Sequence, residues 1–529
     1  MTILGSKRGL FGVVLFLGLL AMTSRSITDP DLWWHLRTGQ WAVENGRVPH
    51  TDPFSFTRGG SPWVSHEWLS EIIFFELWKR GGPGALIAFS AVITTAGFLL
   101  LYWRCPGRPQ WAAALTALGA TASALSWGAR PQMFTFTLAS LLLWLLERGE
   151  KHSRIVLLVP PLFLLWLNLH AGFALALALL LLYGLGLALE CVSGSEPWEK
   201  SGPTIARVFA VTLACFALVP LNPSGAQLYR YPLETLFSGG MRDVIMEWFS
   251  PNFHQWLMVP LLLVFLILIV AMARSRPRVK GRTLLPLLFT AGAALDAVRH
   301  IPIFILLAIP VVAAALAPTS EAPLLMRRRP VSRSAAAIIN GAALILLSAF
   351  AVGRWIELAR QQPVQEAAHF PRAAVAFLQS HEEGERLFAY YDWGGYAIWE
   401  LYPRYRVFAD GRADLYGDEL LRECSQTVPQ IRAGWEQVLQ SWDVQTVMIP
   451  PSTALAQALM IHGGWSQAYR DQQAAIFVRV RAKPDKAEVI EDGSRAKKCI
   501  LVHPDSAKLM ITHWNGSSVA GVEWVGPRR

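Results

Sequence analysis

Long apolar runs separated by short polar stretches make up the first two-thirds of the chain. Most are close to the roughly 20 apolar residues that a helix needs to cross a bilayer. They predict a polytopic α-helical membrane protein with about 11 transmembrane helices. These runs cover residues 9–23, 84–103, 111–127, 131–146, 155–169, 171–189, 205–221, 256–273, 284–297, 301–317 and 335–352.

After residue 352 the pattern changes to short alternating elements. It predicts strands at 386–391, 406–409, 446–449 and 475–480 and helices at 436–442 and 454–461. This order is typical of a small α/β domain. We therefore divide the chain into a transmembrane domain at 1–355 with an outer loop at 24–83, a C-terminal extracytoplasmic α/β domain at 356–481, and a flexible tail at 482–529.

Composition and charge agree with a membrane protein. The 529 residues are 53% hydrophobic and 16% charged, with a net charge of +10. The basic residues form short clusters that fall on one side when the apolar runs are counted, which marks that side as cytoplasmic. The clusters lie at 7–8, 104–108, 148–154, 274–282 and 327–333. We predict a multi-pass protein of the bacterial inner membrane with a cytoplasmic N-terminus, and the pattern does not favour binding to nucleic acid.

The outer loop concentrates carboxylates and histidines. We interpret the run before it as a retained signal anchor, which holds Asp29 at the membrane surface, because no Ala-x-Ala site follows; a cleaved signal peptide is the alternative. Asp29 and Asp31 are candidate proton acceptors for an attacking hydroxyl, and Glu67 with His66 is a candidate second acid. With Asp31 and His35, this pair also offers ligands for a divalent metal ion. Structural hydrogen bonding is the alternative for His66.

Other features of the loop have structural interpretations. Its tryptophans, at positions 33, 34, 41, 63 and 68, favour an aromatic belt at the headgroup level, with stacking on a sugar ring as the alternative. Asp52 precedes Pro53 and is assigned to a turn.

Basic and polar side chains recur at the predicted outer helix ends. Arg130 precedes Pro131, and Arg299 and His300 precede the run at 301–317. An arginine in this position can anchor a helix or bind a phosphate through paired hydrogen bonds, and both interpretations are open. The same side also carries Asn168, His170, Asn222 and Tyr229. In the α/β domain, 391–396 and 410–414 are interpreted first as tight turns after strands, and second as contacts with an acceptor.

Taken in order, these motifs resemble bacterial integral-membrane glycosyltransferases of the GT-C superfamily, of the protein-mannosyltransferase and aminoarabinose-transferase type. The resemblance implies a polyprenyl-phosphate-linked sugar donor, an acceptor outside the cytoplasm, and a catalytic acidic residue in the first outer loop. Asp29 or Asp31 takes that position. This chain has Asp-Pro-Asp where several members have an adjacent acidic pair, so both stay candidates. The motifs that carry the resemblance are 29–35, 52–55, 66–68, 130–132, 168–170, 222–223, 299–300, 392–396 and 410–412.

We therefore expect a membrane glycosyltransferase that moves a sugar from a polyprenyl-phosphate donor to a glycan, lipid or protein acceptor, with inversion at the anomeric carbon. A divalent metal stays open as a cofactor. The alternatives are a lipid-linked saccharide transporter or flippase, for which the spans carry few ionisable groups, and a non-catalytic envelope assembly factor. The catalytic candidates are Asp29, Asp31 and Glu67, and the candidates for binding substrate or lipid phosphate are His35, His66, Arg130, His170, Arg299 and His300.

Overall fold

The computed structural model describes residues 7–275, 278–317, 333–381, 384–480, 497–502, 509–514 and 519–525. Helices make up most of the chain before residue 381. They are α1 Lys7–Thr23, α2 Asp31–Asn45, α3 Trp68–Arg104, α4 Pro109–Ala122, α5 Gln132–Gly149, α6 Val159–Leu169, α7 Phe173–Val192, α8 Trp198–Leu218, α9 Tyr231–Phe237, α10 Gly239–Val244, α11 Val259–Arg274, α12 Gly281–Asp296, α13 Ile301–Ala315, α14 Arg333–His369 and α15 Arg372–Ser380.

Each predicted apolar run coincides with a helix over most of its length. Within the described ranges, six helices are long and apolar enough to cross a membrane. Others that carry predicted runs are short for a crossing, such as α4 with 14 residues and α6 with 11. A multi-pass membrane protein is thus supported, and the count of about 11 spans stays a prediction. The six are Trp68–Arg104, Phe173–Val192, Trp198–Leu221, Trp256–Arg274, Val298–Ala315 and Ala336–His369.

Helix α3 bends where the predicted span begins. Gly82 has a φ of +57° inside the helix, and Pro83 follows it. A left-handed residue without a Cβ and a residue without a backbone N–H together interrupt the helical hydrogen bonds. The bend separates the outer part of α3 from the run at 84–103. The outer loop predicted at 24–83 therefore contains α2 and the first part of α3.

Polar contacts join several helix ends on one face of the bundle. Tyr102 Oη donates to the Arg8 carbonyl oxygen at 2.8 Å. Arg104 Nη2 lies 2.8 Å from Glu147 Oε1. These ends lie at or next to three of the basic clusters that the sequence assigns to the cytoplasm, at 7–8, 104–108 and 148–154, so these three share a face. Residues 327–332 of the last cluster lie outside the described residues. The assignment of that face to the cytoplasm stays a prediction.

A five-stranded sheet follows the helices. Its order is β2-β1-β3-β5-β4; β1 runs parallel to β2 and β3, and β5 runs antiparallel to β3 and β4. The predicted strands are present, whereas β4 was not predicted because its residues are mostly exposed and no buried run marks it. The strands are β1 Arg386–Ala389, β2 Arg406–Val407, β3 Thr446–Ile449, β4 Trp465–Arg470 and β5 Ala475–Arg479, with helices α16 Gly394–Leu401, α17 Ala413–Arg422, α18 Trp435–Ser441 and α19 Ala454–Ile461.

Three more strands, β6 Lys497–Val502, β7 Leu509–Trp514 and β8 Val519–Val525, form an antiparallel sheet. They lie in the stretch that the sequence assigns to a flexible tail, where weak periodicity predicted no strands. The rest of that stretch lies outside the described residues.

Helix α2 is buried between the membrane helices and the α/β domain. Trp33 is only 1% exposed, and its ring meets Trp78, Phe370 and Tyr396 edge to face at 5.6, 5.4 and 5.0 Å. Trp34 and Trp63 are buried as well. The expected aromatic belt is therefore wrong for these three tryptophans, because the α/β domain covers the face that the sequence alone leaves open to the headgroups.

Candidate active site

Arg130 lies among carboxylates that come from separate segments of the chain. Its Nε lies 2.8 Å from Asp29 Oδ2, and its Nη2 lies 2.6 Å from Asp31 Oδ2. Its Nη1 lies 2.9 Å from Glu247 Oε2. The pairs with Asp31 and Glu247 are also charge-assisted hydrogen bonds, which are stronger than neutral ones. We call these four residues the Arg130 cluster.

The local sequence explains how these charges come to face one another. Asp29 Oδ1 accepts the backbone N–H of Asp31 at 2.9 Å, just before α2. Asp31 lies in the first turn of α2, where the helix dipole favours a negative charge. Arg130 stands immediately before Pro131 at the start of α5. Two helix N-termini thus present opposite charges to each other.

Glu247 extends the cluster toward a second arginine. It lies in a short 3₁₀ turn, Met246–Trp248, and its Oε1 lies 3.5 Å from Arg299 Nη1. The Arg299 guanidinium sits 4.4 Å from the centre of the Trp248 ring, a distance that allows a cation–π contact. The His300 ring meets the same tryptophan edge to face at 6.1 Å.

Burial and the neighbouring arginines act in opposite directions on the pKa values of Asp31 and Glu247. For Asp31, burial together with the neighbouring charges of Asp29 and Glu247 outweighs the attraction of Arg130 and raises the pKa to about 6. For Glu247, burial also opposes ionisation, but Arg130 and Arg299 together lower its pKa. Asp31 is therefore the more basic of these two carboxylates.

Three histidines surround Glu67 beside the Arg130 cluster. His66 Nε2 lies 2.7 Å from Glu67 Oε1, and His170 Nε2 lies 3.8 Å from the same oxygen. His35 Nε2 lies 3.8 Å from Glu67 Oε2, and its ring contacts that of Trp34 with 3.6 Å between centroids and a tilt of 35° between the ring planes. We call Glu67 and the three histidines the Glu67 cluster. Trp34 also donates to Asp31 Oδ1 at 3.3 Å, so this ring connects the two clusters.

The hydrogen bonds distinguish the protonation states of two histidines. Both ring nitrogens of His66 face acceptors, with the Val64 carbonyl 3.2 Å from Nδ1. Burial disfavours its charge, but Glu67 outweighs burial and raises the pKa of His66 to about 9. His170 Nδ1 instead accepts the Gly172 N–H at 2.9 Å. Its proton is therefore on Nε2, and burial lowers the pKa of His170 to about 4.

The α/β domain closes over Asp31 with glycines. A Cβ on Gly411 would lie 1.8 Å from Asp31 Oδ1, and a Cβ on Gly395 would lie 2.7 Å from the Pro30 carbonyl oxygen. At Gly395 the nearest atom is backbone and at Gly411 it is the Asp31 side chain, so a Cβ at either position would overlap the start of α2. In the same turn Asp414 interacts electrostatically with His66, and burial raises the pKa of its carboxyl.

Asp410 and Arg412 of this turn have a structural role. Arg412 is fully buried; its Nη2 lies 2.7 Å from Asp410 Oδ2, and its Nη1 lies 2.7 Å from Asp52 Oδ1. Asp52 also accepts the backbone N–H groups of Phe54 and Ser55. The turn interpretation of Asp52 is therefore confirmed, and the same residue ties the outer loop to the α/β domain.

No protein-family model and no curated protein matches the chain. Among solved structures, the archaeal oligosaccharyltransferase AglB from Archaeoglobus fulgidus, in complex with an inhibitory peptide and a dolichol-phosphate, is similar with a TM-score of 0.53 and 10% identity, over 90% of this chain and 74% of that one. The chain therefore shares the overall fold of this oligosaccharyltransferase. The oligosaccharyltransferase of the same organism in its apo form has a TM-score of 0.49 and 10% identity. The match covers 84% of this chain and 70% of that one. ArnT from Cupriavidus metallidurans in the apo state has a TM-score of 0.44 and 13% identity, and the match covers 89% of this chain and 97% of that one.

In this fold, candidate residues from widely separated positions come together. Asp29 and Asp31 pair with Arg130, and Glu247, which the sequence analysis did not single out, links Arg130 to Arg299. The signal available for Glu247 was an acidic residue inside the apolar stretch Ile-Met-Glu-Trp-Phe of an outer segment. The other candidates, Glu67 with His35, His66 and His170, form the adjacent cluster, and His300 lies behind Trp248.

The Glu67 cluster is a poor fit for the divalent metal considered from the sequence. Within the described ranges, no group of three or more His, Cys, Asp or Glu side chains has a suitable arrangement. His66 Nε2 is hydrogen-bonded to Glu67 and His170 Nε2 carries a proton, so neither offers a lone pair to a metal ion. His35 and Glu67 alone are too few ligands.

Proposed function

We propose that this protein is a membrane glycosyltransferase that transfers a sugar from a polyprenyl-phosphate donor to an acceptor outside the cytoplasm. The observation that carries the proposal is the Arg130 cluster, in which three partly buried carboxylates meet one arginine beside the membrane helices of a GT-C-like fold. The dolichol-phosphate bound to AglB supports a lipid-phosphate donor. The glycan, lipid or protein nature of the acceptor is left to experiment.

Asp31 is the proposed general base. Its Oδ1 is held only by the 3.3 Å contact from Trp34, whereas both oxygens of Asp29 are engaged at 2.8–2.9 Å by Arg130 and by the Asp31 N–H. Its pKa of about 6 leaves it ionised at neutral pH and basic enough to take a hydroxyl proton. Asp29 then positions the first turn of α2.

Arg299 is the proposed partner of the departing lipid phosphate. Every guanidinium nitrogen of Arg130 already faces a carboxylate at 2.6–2.9 Å. Arg299 makes one longer ion pair, with Glu247 at 3.5 Å, and its guanidinium packs against the Trp248 ring. It therefore has more donor capacity for a phosphate. We assign phosphate binding to Arg299, with His300 beside it, and assign Arg130 to holding the carboxylates.

The proposed reaction is a single displacement. The acceptor oxygen forms a bond to the anomeric carbon, its proton passes to Asp31, and the bond from that carbon to the phosphate oxygen breaks with the electron pair leaving on the phosphate. Attack from the face opposite the leaving group inverts the anomeric centre. The Glu67 cluster holds Trp34 and α2 against the membrane helices in this arrangement.

The test is sugar transfer by purified protein from a panel of polyprenyl-phosphate sugars. We expect Asp31→Asn to lose transfer by about 10²–10⁴-fold, the usual contribution of a general base, and Asp29→Asn to lose less. Glu44→Gln on the exposed face of the same helix is the matched control. Full transfer by both aspartate variants would refute the assignment. Movement of a lipid-linked saccharide across proteoliposomes without any glycosidic product would favour the flippase.

A further inference from the structure

The most unusual feature of the site is one cation shared by three carboxylates from three separate segments. We propose that Arg130 is the permanent cation of this site in place of a divalent metal ion, and that its removal turns Asp29, Asp31 and Glu247 into a metal site. The inference deepens the proposed function, on which its activity measurement rests. Its binding measurements do not depend on transfer.

The geometry of the cluster leaves a metal ion no position. The planar guanidinium places a different nitrogen against each carboxylate, at 2.8, 2.6 and 2.9 Å. A single metal ion needs its oxygen ligands at about 2.0–2.6 Å from one common point. The guanidinium occupies that point and spreads the carboxylates around its rim. A divalent ion would have to displace Arg130 and overcome its positive charge.

Arg130 is also held so that its charge is always present. It precedes Pro131 at the start of α5, which restricts its backbone. Gln132, one residue beyond the proline, donates to Glu247 Oε1 at 3.4 Å and keeps that carboxylate facing the arginine. The three carboxylates raise the pKa of Arg130 further above its already high value. Neither pH nor the supply of metal ions then controls the positive charge of the site.

Removing the arginine would leave its three carboxylate partners without a shared cation. Each is 20–23% exposed at the side chain, and the three would face one another across the vacated volume. Arg299 would remain, but of the three carboxylates it forms an ion pair with Glu247 alone, at 3.5 Å. Carboxylate oxygens are the ligands that Mn²⁺ and Mg²⁺ prefer. Small inward rotations of the three side chains would bring them to one ion, which would relieve their repulsion.

The experiment compares Mn²⁺ binding by full-length wild type, Arg130→Ser and Arg130→Ser/Glu247→Gln, measured by electron paramagnetic resonance and by thermal unfolding with Mn²⁺ or EDTA. We expect wild type to bind no Mn²⁺ at this site and to unfold at the same temperature in both conditions. Arg130→Ser should bind Mn²⁺ and unfold at a higher temperature with it. The double variant should bind at least tenfold more weakly. Arg130→Gln, with a longer polar side chain, replaces Arg130→Ser if the latter does not fold.

Two outcomes would overturn the inference. One is Mn²⁺ binding by wild type that Asp31→Asn abolishes; the other is a folded Arg130→Ser or Arg130→Gln protein that binds no Mn²⁺. Transfer provides a separate measurement: wild type should keep its rate in EDTA, and a loss that Mn²⁺ restores would also overturn the inference. Absence of transfer under every condition would count against the proposed function alone, because the binding results stand without it.

Discussion

Replacing Gly411 with alanine should disable the site without unfolding the protein. An alanine Cβ would lie 1.8 Å from Asp31 Oδ1 and 2.9 Å from Trp34 Nε1, whereas real Cβ atoms essentially never approach within 3.0 Å of another heavy atom. Gly411 has no left-handed backbone conformation, so the substitution acts through this overlap alone. The closest atom belongs to a side chain, which can move.

The size of the effect depends on the contacts that this movement breaks. The Asp31 carboxylate must retreat by about 1 Å, and it is held in place by Arg130 at 2.6 Å and Trp34 at 3.3 Å. A displacement of about 1 Å in a catalytic group costs roughly 10²-fold in rate, or about 2.7 kcal/mol of transition-state stabilisation. Folding loses less, since the outer loop and the α/β domain remain joined through Arg412.

The assay is the rate of sugar transfer beside the temperature of thermal unfolding in detergent. Gly463→Ala is the neutral control, because its Cβ would meet nothing within 4 Å. Gly394→Ala is the opposite control: its Cβ would lie 2.3 Å from the Ala409 carbonyl oxygen, a backbone atom, so it should lower the unfolding temperature. Wild-type transfer by Gly411→Ala would refute both the base assignment and the role of the domain in placing it.

Three further predictions rest on individual charges. Asp52→Ala removes one partner of the fully buried Arg412. It should lower the free energy of unfolding by about 3 kcal/mol, the lower end for a broken buried pair, because the second carboxylate, Asp410, remains. Amide hydrogen exchange at 52–63 and 406–416 should become faster. Transfer should increase about tenfold per pH unit until the pH reaches the Asp31 pKa of about 6, then level off, because the base must be ionised. The pKa of His66 is raised to about 9, so its protonation contributes fully to folding stability below a pH of about 6.5, and this contribution is lost as the pH rises through 9. Glu67→Gln should reduce that loss, which is measured as the unfolding temperature against pH.

Each of these has a control or a contradicting result. Asp243→Ala breaks an exposed ion pair with Arg422 at 3.0 Å and should leave hydrogen exchange at 52–63 unchanged. A flat rate between pH 5 and 7 would contradict the assignment of Asp31 as the base. A Glu67→Gln protein with the same pH dependence of unfolding as wild type would show that His66 does not carry it.

The helices and strands that could be predicted are those whose type and ends are determined by their own local sequence. The fully buried strand β3 and the helix α19 begin and end as predicted, because a short apolar run or a helical period marks each locally. Charge also predicted that the Asp29 loop, Arg130 and the segment containing Glu247 lie on one side, and the contacts of Arg130 with Asp29, Asp31 and Glu247 agree with that grouping. Which side faces the cytoplasm stays a prediction.

The features that could not be predicted depend on partners far away in the chain. Glu247 becomes part of the site only because its short 3₁₀ turn folds back against Arg130, 117 residues earlier. Trp33 is of a residue type common at the membrane interface, but Tyr396 and Phe370 cover it together with Trp78. No local pattern carries that information, since the covering surface belongs to another domain.

The α/β domain therefore takes part in the proposed site. Gly411 sets the position of Asp31, and Asp414 faces His66 from the same turn. The buried pair of Asp52 and Arg412 fixes this turn to the outer loop with no exposed surface at either charge. A domain that moved freely would uncover Asp31 and lower its pKa, because burial is the largest influence on that carboxyl. The raised pKa of Asp31 therefore depends on the docking of the α/β domain. Because Gly411 lies against Asp31, an acceptor must also reach the carboxylate past the edge of this turn.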